Sequence, residues 1–361
     1  MLGLAQQLRM KNLLAFIVIV FSFNNSFAQK DTVSISILSQ GTNTSLRGLC
    51  VVNDQVIWVS GSNGTIGRSN NGGKDFKWMI VKGFEKTDFR DIEAFDASTA
   101  IIMGVGEPGY ILRTIDGGES WTVVFEKKTR GIFLDAMEFW NRQAGIVMGD
   151  PIDGKFFIAR TFDNGKTWKE IPDVYKPVAD SGEASFAASG TNIRALDNDE
   201  AIFISGGSTS HVYIRDQKIQ LPLTQGSSST GAYSIAVWDR YKLNGGKKMV
   251  VVGGDYTRDT ARQNISAYST DRGKTWQLSK TPPGGYRSCV EFLAEKHLIT
   301  CGPNGVDYTQ DGGENWKSIS KEGFNVVRIA RYGSAVFLAG ANGKIGKLEL
   351  PQRGGKIRTK F

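Results

Sequence analysis

Thr114-Ile115-Asp116-Gly117-Gly118-Glu119-Ser120-Trp121 decides how this 361-residue chain is read, because the phrase returns four more times. The other copies run from Ser69 to Phe76 (SNNGGKDF), Thr161 to Trp168 (TFDNGKTW), Ser269 to Trp276 (STDRGKTW) and Thr309 to Trp316 (TQDGGENW). Each reads Ser/Thr-x-Asp/Asn-x-Gly-x-x-aromatic. The hydroxyl and carboxylate can bond backbone groups inside a turn, and the glycine supplies φ > 0. The aromatic ring opens the next strand and covers the hairpin. A hairpin phrase that recurs along a chain marks a repeat architecture.

A second phrase sets the register. A short apolar or β-branched run ends in glycine at Gly61, Gly104, Gly149, Gly206, Gly253, Gly302 and Gly340, at spacings of 38 to 57 residues. Turn chemistry lies between these runs and no long helical periodicity interrupts them, so the fold is expected to be all-β. A unit of this length with four strands is a propeller blade, which predicts a seven-bladed β-propeller. In blade 2, strands a to d are expected at residues 90–95, 100–103, 110–113 and 121–125, with the repeated phrase as the c–d turn. Blade 4 carries Ile214-Arg215-Asp216-Gln217-Lys218 where that phrase should be, and blade 7 stops after a third strand at 344–350. The alternating segment Thr32 to Leu38, with Val33, Ile35 and Ile37 on one face, has no partner in blade 1. It is expected to pair with the last strand and close the ring, removing the open edges.

The ends read differently. Arg9 and Lys11 precede an apolar run from Leu13 to Phe23 and then Ser26-Phe27-Ala28, the pattern of a signal peptide over residues 1–28. Residues 29–350 form the expected propeller domain and 351–361 a basic flexible tail. The mature chain is expected to be exported, periplasmic or extracellular, with no transmembrane segment. Losing Arg9 and Lys11 leaves 42 basic against 36 acidic residues, and the one basic cluster is the tail, so no nucleic-acid partner is expected. Abundant glycine (43 residues) beside scarce proline (9) suits tight hairpins rather than disorder.

The repeated phrase resembles the Asp-box of sialidases and other β-propeller proteins. With the glycine and strand phrases, and with GEASFAASG at 182–190 and GGDY at 253–256, the chain over about 32–350 resembles the Ycf48-type photosystem II assembly factors and their bacterial, non-photosynthetic relatives. That resemblance implies a single-domain seven-bladed propeller. The name oxidoreductase is attached to some such relatives, yet no Gly-x-Gly-x-x-Gly lies between a strand and a helix here, and no cofactor is expected. The likeness to sialidases stops at the boxes: Phe89-Arg90-Asp91-Ile92 lacks the proline of their Phe-Arg-Ile-Pro phrase.

In a propeller the d–a and b–c loops share one face and the Asp-box turns the other, so functional groups are sought at the first. At the entry to strand a, a bulky residue precedes Arg47, Arg90, Arg287 and Asn325, with Leu134, Thr191 and Ser234 in the other blades. Blades 6, 7, 1 and 2 are consecutive around a closed ring. These residues are therefore expected to form one arc at the channel mouth, suited to a carboxylate or phosphate. The same groups could instead glue neighbouring blades. Glu107, Asp150 and Asp255 begin b–c loops and Glu183 lies in the insertion from Pro172 to Asn192. They are expected to orient the arginines, and Tyr286 to supply an aromatic wall. A pair of such acids could otherwise serve a glycan-active hydrolase or lyase. Two histidines, His211 and His297, make a His-rich metal site unavailable. Cys289 and Cys301 flank one hairpin and should lie opposite each other, as a disulfide or as two buried thiols.

The function expected is a monomeric binding or assembly module of the cell envelope, with a protein or an anionic small molecule or glycan as partner. No catalytic residue is expected.

Overall fold

The Asp-box folds as its chemistry requires. In the computed structural model, Thr114 Oγ1 donates to Asp116 Oδ1 (2.8 Å) and accepts from the Gly118 amide (3.0 Å), while Asp116 Oδ1 accepts from the Ser120 amide (3.0 Å). The same three bonds recur around Ser69, Thr161 and Ser269. Hydrogen bonds from the Ser120 hydroxyl and amide hold the Asp116 carboxyl down at about 2. The box glycine has a second task. A Cβ on Gly165 would stand 2.2 Å from Ile101 Cδ1, and one on Gly73 would stand 3.1 Å from Phe337, each in the preceding blade. The box is therefore both a turn and a point where adjacent blades close on each other.

The structure describes residues 33–197, 199–240 and 245–350. They form seven antiparallel sheets. Blade 1 runs Leu46–Val51, Ile57–Gly61, Thr65–Ser69 and Lys77–Ile80; blade 2 runs Phe89–Ala94, Ala100–Gly104, Gly109–Thr114 and Thr122–Lys127. The innermost strands of blades 3 to 7 are Leu134–Phe139, Ile193–Ala195, Thr230–Val237, Cys289–Phe292 and Val326–Ile329. Apolar side chains between the sheets form the core. One cluster joins Leu49, Val59, Ile299, Val306, Val327 and Phe337, so it spans blades 6, 7 and 1.

Ser34–Ser39 pairs antiparallel with Ile345–Glu349 and completes blade 7 as its outermost strand. A register shift between Ile37 and Ser39 changes which residues it buries. Val33, Ile35 and Leu38 pack on the core, whereas Ile37 is 41 % exposed, contrary to the simple alternation. The extra residue of a bulge moves the next side chain to the other face.

Blade 5 departs from four strands. Glu183–Ala184 pairs with Gly206–Gly207, which pairs with Thr230–Val237, so two short pieces from the blade 3–4 insertion and from blade 4 extend its inner edge. Glycine permits the approach: a Cβ on Gly231 (φ +127°) would meet the Gly206 Cα at 2.4 Å. Blade 4 replaces the box by a tight turn at Arg215-Asp216, with Arg215 at φ 57°. Cys289 and Cys301 are register partners, and all three cysteines are buried free thiols. No helix among the described residues is long and apolar enough to cross a membrane. The expected signal peptide at 1–28 and basic tail at 351–361 lie outside the described residues.

Candidate functional site

Strand a places its mouth residue on a β-bulge. In blades 1, 2, 3 and 5 the register shifts around Arg47, Arg90, Asp135 and Tyr233, leaving each outside the regular ladder. The glycine that ends strand b faces this crossing: a Cβ on Gly302 would lie 2.2 Å from the Tyr286 carbonyl. In blade 6 Cys289 opposes Cys301, just as Asp91 opposes Met103 in blade 2. Ser288 is therefore the counterpart of Arg90, and Arg287 the counterpart of Phe89. By the same count Asn325 and Thr191 hold the mouth positions of blades 7 and 4.

This corrects the expected arc. Arg287 does not stand at the mouth; it is 2 % exposed and spent inside the fold. Its Nε donates to Asp307 Oδ2 (2.7 Å) and its Nη1 to the Tyr286 carbonyl (2.9 Å). Asp135 takes the place assigned to Leu134, and Tyr233 the place assigned to Ser234. Asn325 donates to the Leu46 carbonyl (2.9 Å) and Ser288 to the Asn325 carbonyl (2.7 Å), stitching blades 6, 7 and 1. Arg47 and Arg90 do remain together. Burial, and then the charge of Arg90, lowers the pKa of Arg47. Arg90 holds Asp88 at 2.7 Å and lies over the Phe133 ring, whereas the hydrogen bond of Arg47 goes to the Ala188 carbonyl (3.3 Å).

The acids are dispersed. Glu107 is exposed and accepts from the Gly131 amide (2.5 Å). Asp255 caps Thr257 (amide, 3.0 Å) and holds Arg258 (2.9 Å), and these bonds outweigh its burial to keep the carboxyl strongly acidic. Glu183, within the insertion, is buried and accepts from Ser205, Tyr213 (2.8 Å) and Lys218 (2.9 Å), with His211 Nδ1 at 3.0 Å. Burial would raise it, but the bonds from His211, Ser205 and Lys218 win and hold it at about 2. With Asp180 these groups could be read as a metal cluster, but Lys218 sits on both carboxylates and supplies the positive charge itself. Asp150 accepts from the Ser185 amide (2.9 Å). Tyr286 is buried instead of walling the mouth, edge-on to Tyr233 at 4.7 Å, with Phe186 stacked on Tyr233 at 4.0 Å.

The insertion also fills the channel. Ala187, Ala188, Ser189 and Gly190 are buried, tied to Arg47 by the Ala188 carbonyl, to Ser288 by Ser189 Oγ (2.7 Å) and to Arg328 by the Ser189 carbonyl (3.0 Å). Below this plug, on the Asp-box face, opens a funnel of about 440 Å³. Its floor comes from the strand-a position three beyond the mouth: Cys50, Glu93, Glu138, Arg194, Glu291 and Arg328. This cavity is thus on the face opposite to the expected one. Charges set inside otherwise apolar strands, as in Ile193-Arg194-Ala195 and Val290-Glu291-Phe292, were the sequence signal for this floor.

Solved structures with this ring include YCF48 bound to D1 peptide, 15 % identical with a TM-score of 0.61 over 87 % of this chain and 94 % of that one. YCF48 from Cyanidioschyzon merolae is 16 % identical, TM-score 0.63, over 88 % and 99 %. In fold, the chain is a YCF48-like Asp-box propeller. The WD40 β-propeller domain of Doa1 is similar as well, at 9 % identity and a TM-score of 0.59 over 88 % and 98 %. The BNR/Asp-box repeat model matches residues 267–278, the fifth-blade box. No curated protein matches the sequence.

Three buried carboxyls around the plug of this YCF48-like propeller, Asp91, Asp135 and Asp150, give it a pH dependence, and burial raises Asp135 well above the usual carboxylate range. Burial pushes Asp91, beside Gly190, up to about 8, and Asp150 up to about 6. Both exceed the unfolded value of about 4, so the folded chain keeps protons that the unfolded chain releases. The resulting stabilisation is complete below about pH 4 and is lost as pH rises through 6 and then 8. Thermal melts from about pH 5 to 9 should fall, by at most about 1.4 kcal/mol per pH unit for each group in its window. Asp91→Asn should flatten the upper part of that slope; an unchanged slope removes Asp91 as its source.

Proposed function

We propose that this chain is an exported binding and assembly module of the cell envelope, which captures an anionic segment of a protein partner, or an anionic glycan, at Arg47 and Arg90. The observation that carries this reading is the pairing of two guanidiniums on bulge positions, where Arg47 meets a carbonyl instead of a carboxylate. Two like charges side by side are unfavourable alone and favourable around an anion. The exposed aromatic ring beside them is that of Tyr256, 6.5 Å from the buried Tyr286. A propeller of the same fold has been solved with a peptide bound, which supports a protein partner. Export rests on the apolar run before Ala28.

The test is capture of envelope proteins and acidic glycans by the mature chain and by Arg47→Ala/Arg90→Ala. Losing two charge-assisted contacts should weaken capture by about tenfold or more. Stability should move by only about 1 kcal/mol, because the one ion pair broken is partly exposed. A large fall in melting temperature with capture intact would show instead that the pair only joins blades.

A further inference from the structure

Cys50 stands by itself in blade 1, whereas Cys289 and Cys301 face each other across the two inner strands of blade 6. Antiparallel partners lie about 4.5–5.5 Å apart at Cα, inside the range that a disulfide spans. Cys289 Sγ accepts from the Val327 amide (3.4 Å), Arg328 Nη1 (3.6 Å) and Thr191 Oγ1 (3.7 Å), and the Val327 carbonyl lies 3.4 Å away. Elsewhere around the axis a guanidinium meets a carboxylate, Arg331 with Glu93 and Arg240 with Glu138. Arg328 instead donates to this sulfur and to the Val327, Ser189 and Gly190 carbonyls.

The two sulfurs are driven apart in acidity. Burial would raise the Cys289 thiol, but the hydrogen bond from Cys301, and then the charges of Arg328 and Arg194, win and hold it at about 5. Burial and that same bond push Cys301 well above the usual thiol range. The pair is therefore a thiolate and a thiol that donates to it, the arrangement in which one sulfur attacks and the other resolves. Cys50 lies beside Glu93, and burial pushes it up to about 12. Both paired sulfurs are buried, and the plug lies over Cys289, since Thr191 directly follows Ser189 and Gly190. A molecule close to water in size reaches the sulfur when this short segment lifts.

We propose that Cys289 and Cys301 are a redox-active dithiol, which hydrogen peroxide entering past the plug converts to a disulfide. The Cys289 sulfur attacks one peroxide oxygen, the O–O bond breaks, and hydroxide departs, leaving a sulfenic acid on Cys289. The Cys301 sulfur then forms the S–S bond, and the sulfenic oxygen leaves with its own proton and that of Cys301 as water. Two sulfurs are oxidised and one peroxide is reduced to water and hydroxide. The product also removes a negative charge from beside Arg328, which tethers the plug. In the test, the mature chain is treated with excess hydrogen peroxide, its free thiols are blocked, and the blocked thiols are counted after denaturation. Cys50 alone should remain a thiol, whereas untreated protein shows Cys50, Cys289 and Cys301. Cys301→Ser should trap the sulfenic acid, so that dimedone labels Cys289, while Cys289→Ser should leave Cys301 unlabelled. The rate should be flat from about pH 6 to 8, whereas an ordinary thiol of pKa about 8.5 gains about tenfold per pH unit there. Ser189→Ala loses its bond to the Ser288 carbonyl (2.7 Å), so the plug should open more often and the reaction should run about fivefold faster. All thiols surviving treatment, dimedone on Cys301 in place of Cys289, or a rate that climbs with pH overturns the proposal. An unchanged rate in Ser189→Ala overturns entry past the plug.

Discussion

A chain that begins at Gln40 melts far below one that keeps Val33 to Ser39. The missing strand covers the outer edge of blade 7 through five register pairs with Ile345–Glu349. Val33, Ile35 and Leu38 lose their packing on the core that joins blades 6, 7 and 1. Fully burying such a side chain is worth about 1.5–3 kcal/mol, and these are partly buried, so the three together contribute about 3–5 kcal/mol. The bond from Ser36 to Glu349 (2.9 Å) goes with them. The exposed strand Ile345–Glu349 then presents unpaired amides and carbonyls, and the truncated chain should also associate at high concentration. Differential scanning calorimetry and light scattering read both effects. Equal melting temperatures for the two chains would mean that the strand seals nothing.

Arg287→Ala should destabilise the fold by about 3–5 kcal/mol, while Arg47→Ala, two blades away around the ring, changes stability little. Asp307 is 2 % exposed. Without the guanidinium it would keep only the Gly284 amide, at 3.2 Å. A buried carboxylate stripped of its partner is far costlier than the intact pair is favourable. The double replacement Arg287→Met/Asp307→Leu should therefore recover most of the loss, because it removes both charges together. Urea unfolding of the two variants is the measurement. A double variant no better than Arg287→Ala would place the loss in the packing around Asn304 and Tyr286 rather than in the stranded charge.

The contrast between these arginines shows what was legible in the sequence. Turns are local, so Thr114, Asp116 and Gly118 announced their hairpin, and an unpartnered alternating strand announced the ring closure. A bulge is not local: it adds one residue to one strand only, and alignment from the bulky residue before strand a then slips by one. That slip put Arg287 at the mouth and hid Asp135, Tyr233 and Ser288. Counting back from the Cys289–Cys301 pair gives the correct position, because both residues lie in the regular ladder beyond the bulge. The plug was illegible for a different reason. Ala187 to Gly190 has no periodicity, and what fixes it comes from blades 1, 6 and 7. The funnel floor was visible as isolated charges in apolar strands, but its location needed the ring.

The plug has a consequence in time. It is bonded to Arg47, Ser288 and Arg328, which lie 141, 99 and 139 residues away along the chain. Residues made before it and long after it must all be in place before it is held. The bond from Ser36 to Glu349 that seals the circle spans 313 residues and is among the longest closures the chain makes. Contacts this distant form slowly, since chain entropy is lost before they return any stabilisation. Until then the guanidiniums and carboxylates of the axis stand in water, where keeping them ionised costs nothing. Their desolvation is deferred to the last step, when plug, floor and closing strand arrive together, so the ring should fold late and as one event.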